Sequence, residues 1–273
     1  MMGITEFSVS PFDRGFGLGL GLFETILAVD GVPLWLDRHL ERLARAGERL
    51  GWQFPQVDMQ GIARRVLAEN ALLSGRARLR LAVTAGAGTM DDLKLGDDWQ
   101  GWVTAVAAAA VPQSVQVVVA PWKRNEHSPL VGLKCASYAE NLVALDHARR
   151  MGFQETLFFN TAGELCEAAM ANIFLVKEGA LFTPTLSSGC LPGVARGLIL
   201  EMAGQSEIPI FEGVLRQRDL DAADEIFLSS ALRGPVGVSC LGGKLLPKGS
   251  ITSLLRGLWQ KKITTELACS VVK

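Results

Sequence analysis

Leu130-Val131-Gly132-Leu133-Lys134-Cys135-Ala136-Ser137-Tyr138-Ala139-Glu140 sets an ammonium between an apolar run and a helix start. Ser137 and Glu140 have the spacing of a capping box, Ser137 as N-cap and Glu140 reaching back to close it. Lys134 therefore falls at a strand-to-helix corner. An ammonium held against apolar walls loses solvation, and its amine becomes available as a base or as a nucleophile that carries a Schiff base.

Downstream of this corner the spacing predicts a helix over 138–150, with Leu142, Leu145 and Ala148 or Ala144 on its buried face and Gly152 as its stop. Short strands follow at 156–159, 164–167, 173–176 and 180–182, paired by turns at 160–163 and 178–179. A compact antiparallel region results, of the kind that flanks a site. Upstream, a strand over 22–29 turns at Asp30-Gly31 into 32–35, and Asp37 is placed to cap a helix that ends at Gly51. A second helix over 57–73 and an alternating strand over 77–84 complete a mixed α+β lobe. The break around Pro112-Gln113-Ser114 divides the chain into a small α+β domain, 1–112, and a larger domain, 113–273.

Glycines at 15, 17, 19 and 21 precede the first strand rather than follow it. A dinucleotide fingerprint needs a strand before its glycines and a helix after them, so these serve instead to let backbone approach backbone or a ligand.

Composition narrows the function. The 273 residues are 49% apolar and 20% charged with a net charge of -1, which describes a globular chain without the basic footprint of a nucleic-acid or membrane-surface binder. The expected partner is a small molecule. Five cysteines without a C-x-x-C pair indicate neither a disulfide framework nor a zinc site, and fit a reducing cytoplasm. The N-terminus has neither the basic start nor the apolar core of a secretory signal, and the apolar stretch 103–120 is too broken to span a membrane.

Glu167 lies among small and apolar residues, where a carboxylate needs a cationic partner, and no arginine or lysine is close in sequence. A pyridinium nitrogen would serve, since a carboxylate keeps it protonated and able to accept electrons. Gly193-Val194-Ala195-Arg196 opens a helix whose free N–H groups can hold a phosphate, and the turn Ser229-Ser230-Ala231-Leu232-Arg233-Gly234 offers a second cradle. A buried lysine, a buried glutamate and two cradles make up the requirements of a pyridoxal 5'-phosphate site.

With these residues in place the chain resembles the fold type IV pyridoxal-phosphate enzymes, the class IV aminotransferase family. That family includes branched-chain and D-amino acid aminotransferases and aminodeoxychorismate lyases. The matching text is Leu133-Lys134 with Tyr138 and Asn141, Gly152 to Glu155, Asn160 to Glu167, Asn172 to Val176, Thr183-Pro184 and Gly189 to Arg196. Upstream it includes Asp13 to Phe16, Gly21-Leu22-Phe23-Glu24-Thr25 and His39 to Leu43, so that the resemblance spans roughly residues 11 to 240.

The resemblance implies a two-domain α+β fold with a small N-terminal domain and a larger C-terminal pseudo-barrel that binds the cofactor. It implies Lys134 as the Schiff-base lysine, Glu167 as the pyridinium partner and Arg42 as the phosphate-binding arginine. Without it, His39 and Arg42 read as two solvated polar neighbours on a helix. Backbone phosphate contacts fall on Val194, Ala195, Ser230 and Ala231, and Tyr138 lies near the cofactor's phenolic oxygen. A homodimer and an amine substrate are also implied.

Within the family, the turn 229–234 is similar to that of aminodeoxychorismate lyases, which release pyruvate from 4-amino-4-deoxychorismate to leave 4-aminobenzoate in folate biosynthesis. Arg233 is then a candidate for a substrate carboxylate. Against this, Ser137 replaces an asparagine, and the loop Thr84-Ala85-Gly86-Ala87-Gly88 lacks cationic side chains, which counts against a D-amino acid aminotransferase as well. The alternative is an aminotransferase that acts on branched-chain or D-amino acids with a 2-oxo acid acceptor.

Overall fold

The computed structural model describes residues 8–271, which separate into two compact units. One runs to Ala109 and takes in Leu133–Tyr138 and the chain from Thr265 onward; the other holds Ala110–Gly132 and Ala139–Thr264. The sequence suggests a single cut after residue 112. The Lys134 segment instead groups with the first unit because it pairs with that unit's sheet: Phe23 N–H donates to the Lys134 carbonyl at 2.9 Å, and Ala136 N–H to that of Gly21 at 2.8 Å.

The first unit contains α1 (Arg14–Leu18), β1 (Gly21–Val29), β2 (Val32–Pro33), α2 (Leu36–Arg49), α3 (Met59–Glu69), β3 (Arg76–Thr84) and β4 (Gln100–Ala107). Its sheet is antiparallel in the order β2-β1-β3-β4. Strand alternation sends Leu22, Ile26 and Ala28 of β1 and Leu79, Leu81 and Val83 of β3 into cores shared with Leu36 and Leu43 of α2 and Leu67 of α3. Phe23 and the arginines at 76, 78 and 80 occupy the other side.

The glycine-rich segment contains a helix that the spacing did not suggest. Asp13 caps α1 by accepting from the N–H groups of Gly15 and Phe16, and Gly19 ends it in the left-handed region at φ 69°. The close-approach reading of its glycines holds at Gly15, where a Cβ would sit 2.2 Å from Thr84 Cγ2. Arg14 is buried and donates to the carbonyls of Gly86, Asp92, Ala85, Ala87 and Lys94, fixing the loop after β3. α2 begins at Leu36, after Trp35 in a left-handed conformation, so Asp37 sits in its first turn rather than capping it.

The second unit contains β5 (Ser114–Arg124), α4 (Ala139–Arg150), β6 (Glu155–Asn160), β7 (Leu165–Ala168), β8 (Asn172–Lys177), β9 (Ala180–Pro184), α5 (Val194–Gln205), β10 (Ile210–Gly213), α6 (Gln217–Asp221), β11 (Glu225–Ser230), β12 (Gly234–Leu241), β13 (Lys244–Leu245) and most of α7 (Ser250–Val271). Its nine-stranded mixed sheet runs β10-β9-β8-β11-β12-β5-β6-β7, with β13 on β12. β5 is parallel to both β6 and β12, and the crossover from β5 to β6 carries α4, as parallel neighbours require. Val117, Leu157, Ile173, Ile226 and Val236 fill the main core.

Two local expectations fail in α4. Ala144, Leu145 and Ala148 are buried as expected, but Leu142 is 54% exposed and Asn141 takes the buried place at that end of the stripe. The capping box is not used either: Ser137 Oγ donates to the Gly19 carbonyl, and the Glu140 carboxylate is taken by Arg124. No helix among the described residues is long and apolar enough to cross a membrane.

Candidate active site

In the first unit, Lys134 is half-buried against two aromatic rings. Its Nζ lies 4.5 Å from the Phe23 ring centroid and 5.3 Å from that of Tyr138, and the two rings meet edge to face. Arg80 Cζ lies 3.9 Å from the same Phe23 ring. Burial and the neighbouring Arg78 push the Arg80 pKa down, and no carboxylate faces it among its described contacts. A guanidinium is a natural receptor for a carboxylate.

Behind Phe23, β1 turns Glu24 toward α2. His39 Nδ1 lies 2.7 Å from Glu24 Oε2, while Arg42 donates through Nε to Oε1 at 2.8 Å and through Nη2 to Oε2 at 2.5 Å. Burial pushes the Glu24 carboxyl up, but hydrogen bonds from His39 and Arg42 outweigh it and hold it at about 2. His39 is pushed below its ordinary range, chiefly by burial. It is fully enclosed, which overturns the solvated reading of this pair, and Arg42 is braced by a carboxylate rather than standing as a lone cation.

In the second unit, Glu167 on β7 accepts from the Leu191 N–H at 2.9 Å. It also has the cation that the local sequence lacked: Arg124 Nη2 is 3.6 Å from Glu167 Oε1. The inference from an absent protein partner to a cofactor partner therefore loses that step, and the cofactor must be argued from the other donors.

Those donors fit a phosphate. α5 has Gly193 as its N-cap and no side-chain cap, which leaves the N–H groups of its first turn, at Val194 and Ala195, for an anion. A Cβ at Gly193 would sit 2.1 Å from Asn172 Oδ1, so only glycine lets the helix start this close to β8. At the turn between β11 and β12, Arg233 N–H closes onto the Ser230 carbonyl at 3.2 Å, beside Ala231. Ser229 Oγ is buried there with no hydrogen-bond partner among the described residues. Arg233 itself is exposed.

The structure thus gathers Lys134 and Tyr138 in one unit with the Glu24, His39 and Arg42 network, whose His39 feels the Lys134 charge. Glu167, Val194 and Ala195 share a neighbourhood in the other, linked through Leu191. Sequence reasoning missed Arg80, Glu24 and Arg124. The alternation of arginines at 76, 78 and 80 was a signal for the first, and the position of Glu24 on the apolar side of β1 for the second. Arg124 is 43 residues from Glu167 and gave none.

This fold and donor set define a class of enzyme, and a family model for amino-transferase class IV matches residues 21–241. The chain belongs to that family. Among relatives, it is 28% identical to the aminodeoxychorismate lyase of Bacillus subtilis over 265 residues, 93% of this chain and 89% of that protein. It is 29% identical to the branched-chain-amino-acid aminotransferase of Escherichia coli K12 over 226 residues, 77% of this chain and 72% of that one. A crystal structure from Legionella pneumophila, provisionally assigned as a 4-amino-4-deoxychorismate lyase, matches with a TM-score of 0.89 at 26% identity, over 94% of this chain and 96% of that one.

Proposed function

We propose that this chain is a pyridoxal-phosphate lyase that converts 4-amino-4-deoxychorismate to 4-aminobenzoate and pyruvate, working as a cytoplasmic homodimer in folate biosynthesis. One observation supports this reading above the others: the activity is the one named for the Bacillus relative, and the one provisionally assigned to the Legionella structure. Phe12 and Phe16 are about three-quarters exposed on the single chain, which suits a subunit interface.

The cofactor is pyridoxal 5'-phosphate, which when bound supplies an aldehyde for amines and a protonated ring that accepts electrons. Lys134 Nζ is the amine that would hold the cofactor's aldehyde, and when free it would move the proton at the substrate's ring carbon. Phe23 and Tyr138 hold the Nζ in place and keep water from it. Glu167 holds the proton at the ring nitrogen. The amides at Val194 and Ala195, and those of the turn at Ser230 and Ala231, bind phosphate, with Arg42 held ready by Glu24. Arg80 and, at the exposed turn, Arg233 are the cations available to substrate carboxylates.

The test is an assay on 4-amino-4-deoxychorismate alone. A lyase returns its cofactor unchanged after each turnover, so pyruvate and 4-aminobenzoate form in equal amounts without any keto acid. The identity to the E. coli enzyme favours one second reading, the aminotransferase. Inert aminodeoxychorismate with steady turnover of an amino acid plus 2-oxoglutarate would establish it instead.

A further inference from the structure

Arg124 stands at the end of β5, just past an irregularity in the pairing of β5 with β6. Its Cζ lies 4.3 Å from the Phe158 ring, and its Nη1 donates to Glu140 Oε2 at 2.7 Å and to Asn141 Oδ1 at 3.3 Å. Asn141 is in turn tied to the Ala169 carbonyl at 2.6 Å, two residues beyond Glu167. The Arg124 side chain is 13% exposed, yet Nε and Nη2 have no hydrogen-bond partner among the described residues. In Arg14, also buried, Nε, Nη1 and Nη2 all donate to carbonyls. Arg124 leaves Nη2 facing Glu167 across 3.6 Å, too long for a hydrogen bond and close enough for a strong field.

We propose that Arg124 is a positioning residue that acts through Glu167, keeping the proton they govern on the cofactor's ring nitrogen rather than on the carboxylate. This rests on the pyridoxal-phosphate reading above. A guanidinium remains charged at any working pH, and an opposite charge at this range favours the ionised carboxylate. The Leu191 N–H holds the other oxygen, so the carboxylate is fixed from two sides. Glu140, half exposed, accepts from the same guanidinium at 2.7 Å and draws part of its charge away from Glu167.

The experiment compares binding of pyridoxal phosphate with that of its 1-deaza analogue, in which C–H replaces the ring nitrogen, to apoenzyme of the wild type, Arg124→Met, Arg124→Lys and Glu140→Gln. Arg124→Met is expected to narrow the wild-type preference for the natural cofactor by at least about tenfold, with Arg124→Lys restoring most of it. Glu140→Gln removes the competing carboxylate and is expected to widen the preference, which keeps the test open if Arg124→Met does not refold. Equal weakening of both ligands in Arg124→Met, or an unchanged preference in Glu140→Gln, would overturn the proposal while leaving the cofactor reading intact. Wild-type apoenzyme that binds neither ligand would overturn both.

Discussion

Phe23 does more than fill space, since Lys134 and Arg80 both approach its ring. In the proposed chemistry the substrate amine reacts near Lys134, and Arg80 is the cation proposed to hold a substrate carboxylate. Arg80→Gln should therefore lose a charge-assisted contact of about 1.5–3 kcal/mol. It should lower kcat/KM roughly ten- to a hundredfold, chiefly through KM, and leave cofactor affinity unchanged. Steady-state kinetics on the amine substrate, with cofactor binding measured alongside, decide the point: an unaltered KM removes Arg80 from the site.

At the level of elements, α7 is started by a carboxylate from another part of the chain. Glu225, at the head of β11, accepts from the N–H groups of Ile251 and Thr252 and from the hydroxyls of Ser250 and Thr252, and is itself buried. Anions at a helix start are stabilising, and this one also satisfies donors that would otherwise be orphaned. Glu225→Ala should cost roughly 2–3 kcal/mol in a denaturant titration, because it leaves several buried donors unpaired. The sequence showed the apolar strand at 225–228 but not this cap, which joins residues some 25 positions apart. The same limit explains the rest of what was and was not legible. The hairpin at Asp30-Gly31, the strands flanking Glu167 and the helix after Gly193 are set by local alternation and turn chemistry, and they appear where the spacing put them. The neighbours of Lys134 placed it between an apolar run and a helix start, and the reading of its role drew on the residues that follow it. Arg124 beside Glu167, Glu24 beneath Arg42 and the exposure of Leu142 depend on tertiary partners, and periodicity over one helix could not distinguish Leu142 from Asn141.

For the whole molecule, two buried carboxylates tie stability to pH in opposite directions. Glu24 is held at about 2 in the fold, below its ordinary 4.5, so it stabilises above pH 4.5 and loses that contribution as pH falls toward 2. Glu155 is the reverse case. Buried on β6, it is pushed by desolvation from 4.5 up to about 7, against the pull of the Thr156, Ala169 and Met170 amides and of Arg233. The folded chain therefore keeps its proton while the unfolded chain gives it up, and stability falls as pH rises from 4.5 to about 7, then levels off. Nothing in the proposed chemistry uses Glu155, so its titration can be read as stability without confusion with catalysis. A neutral amide in its place keeps an acceptor for the amides but has no proton to lose. Glu155→Gln should match the wild type in urea midpoint near pH 4.5 and exceed it at pH 8 by up to roughly 3 kcal/mol of unfolding free energy. Because Glu24 is untouched, the variant should still lose stability below pH 4.5 as the wild type does. A variant less stable than the wild type at pH 8 would mean that ionised Glu155 is held favourably by Arg233 and the amides, and that burial does not dominate at this position.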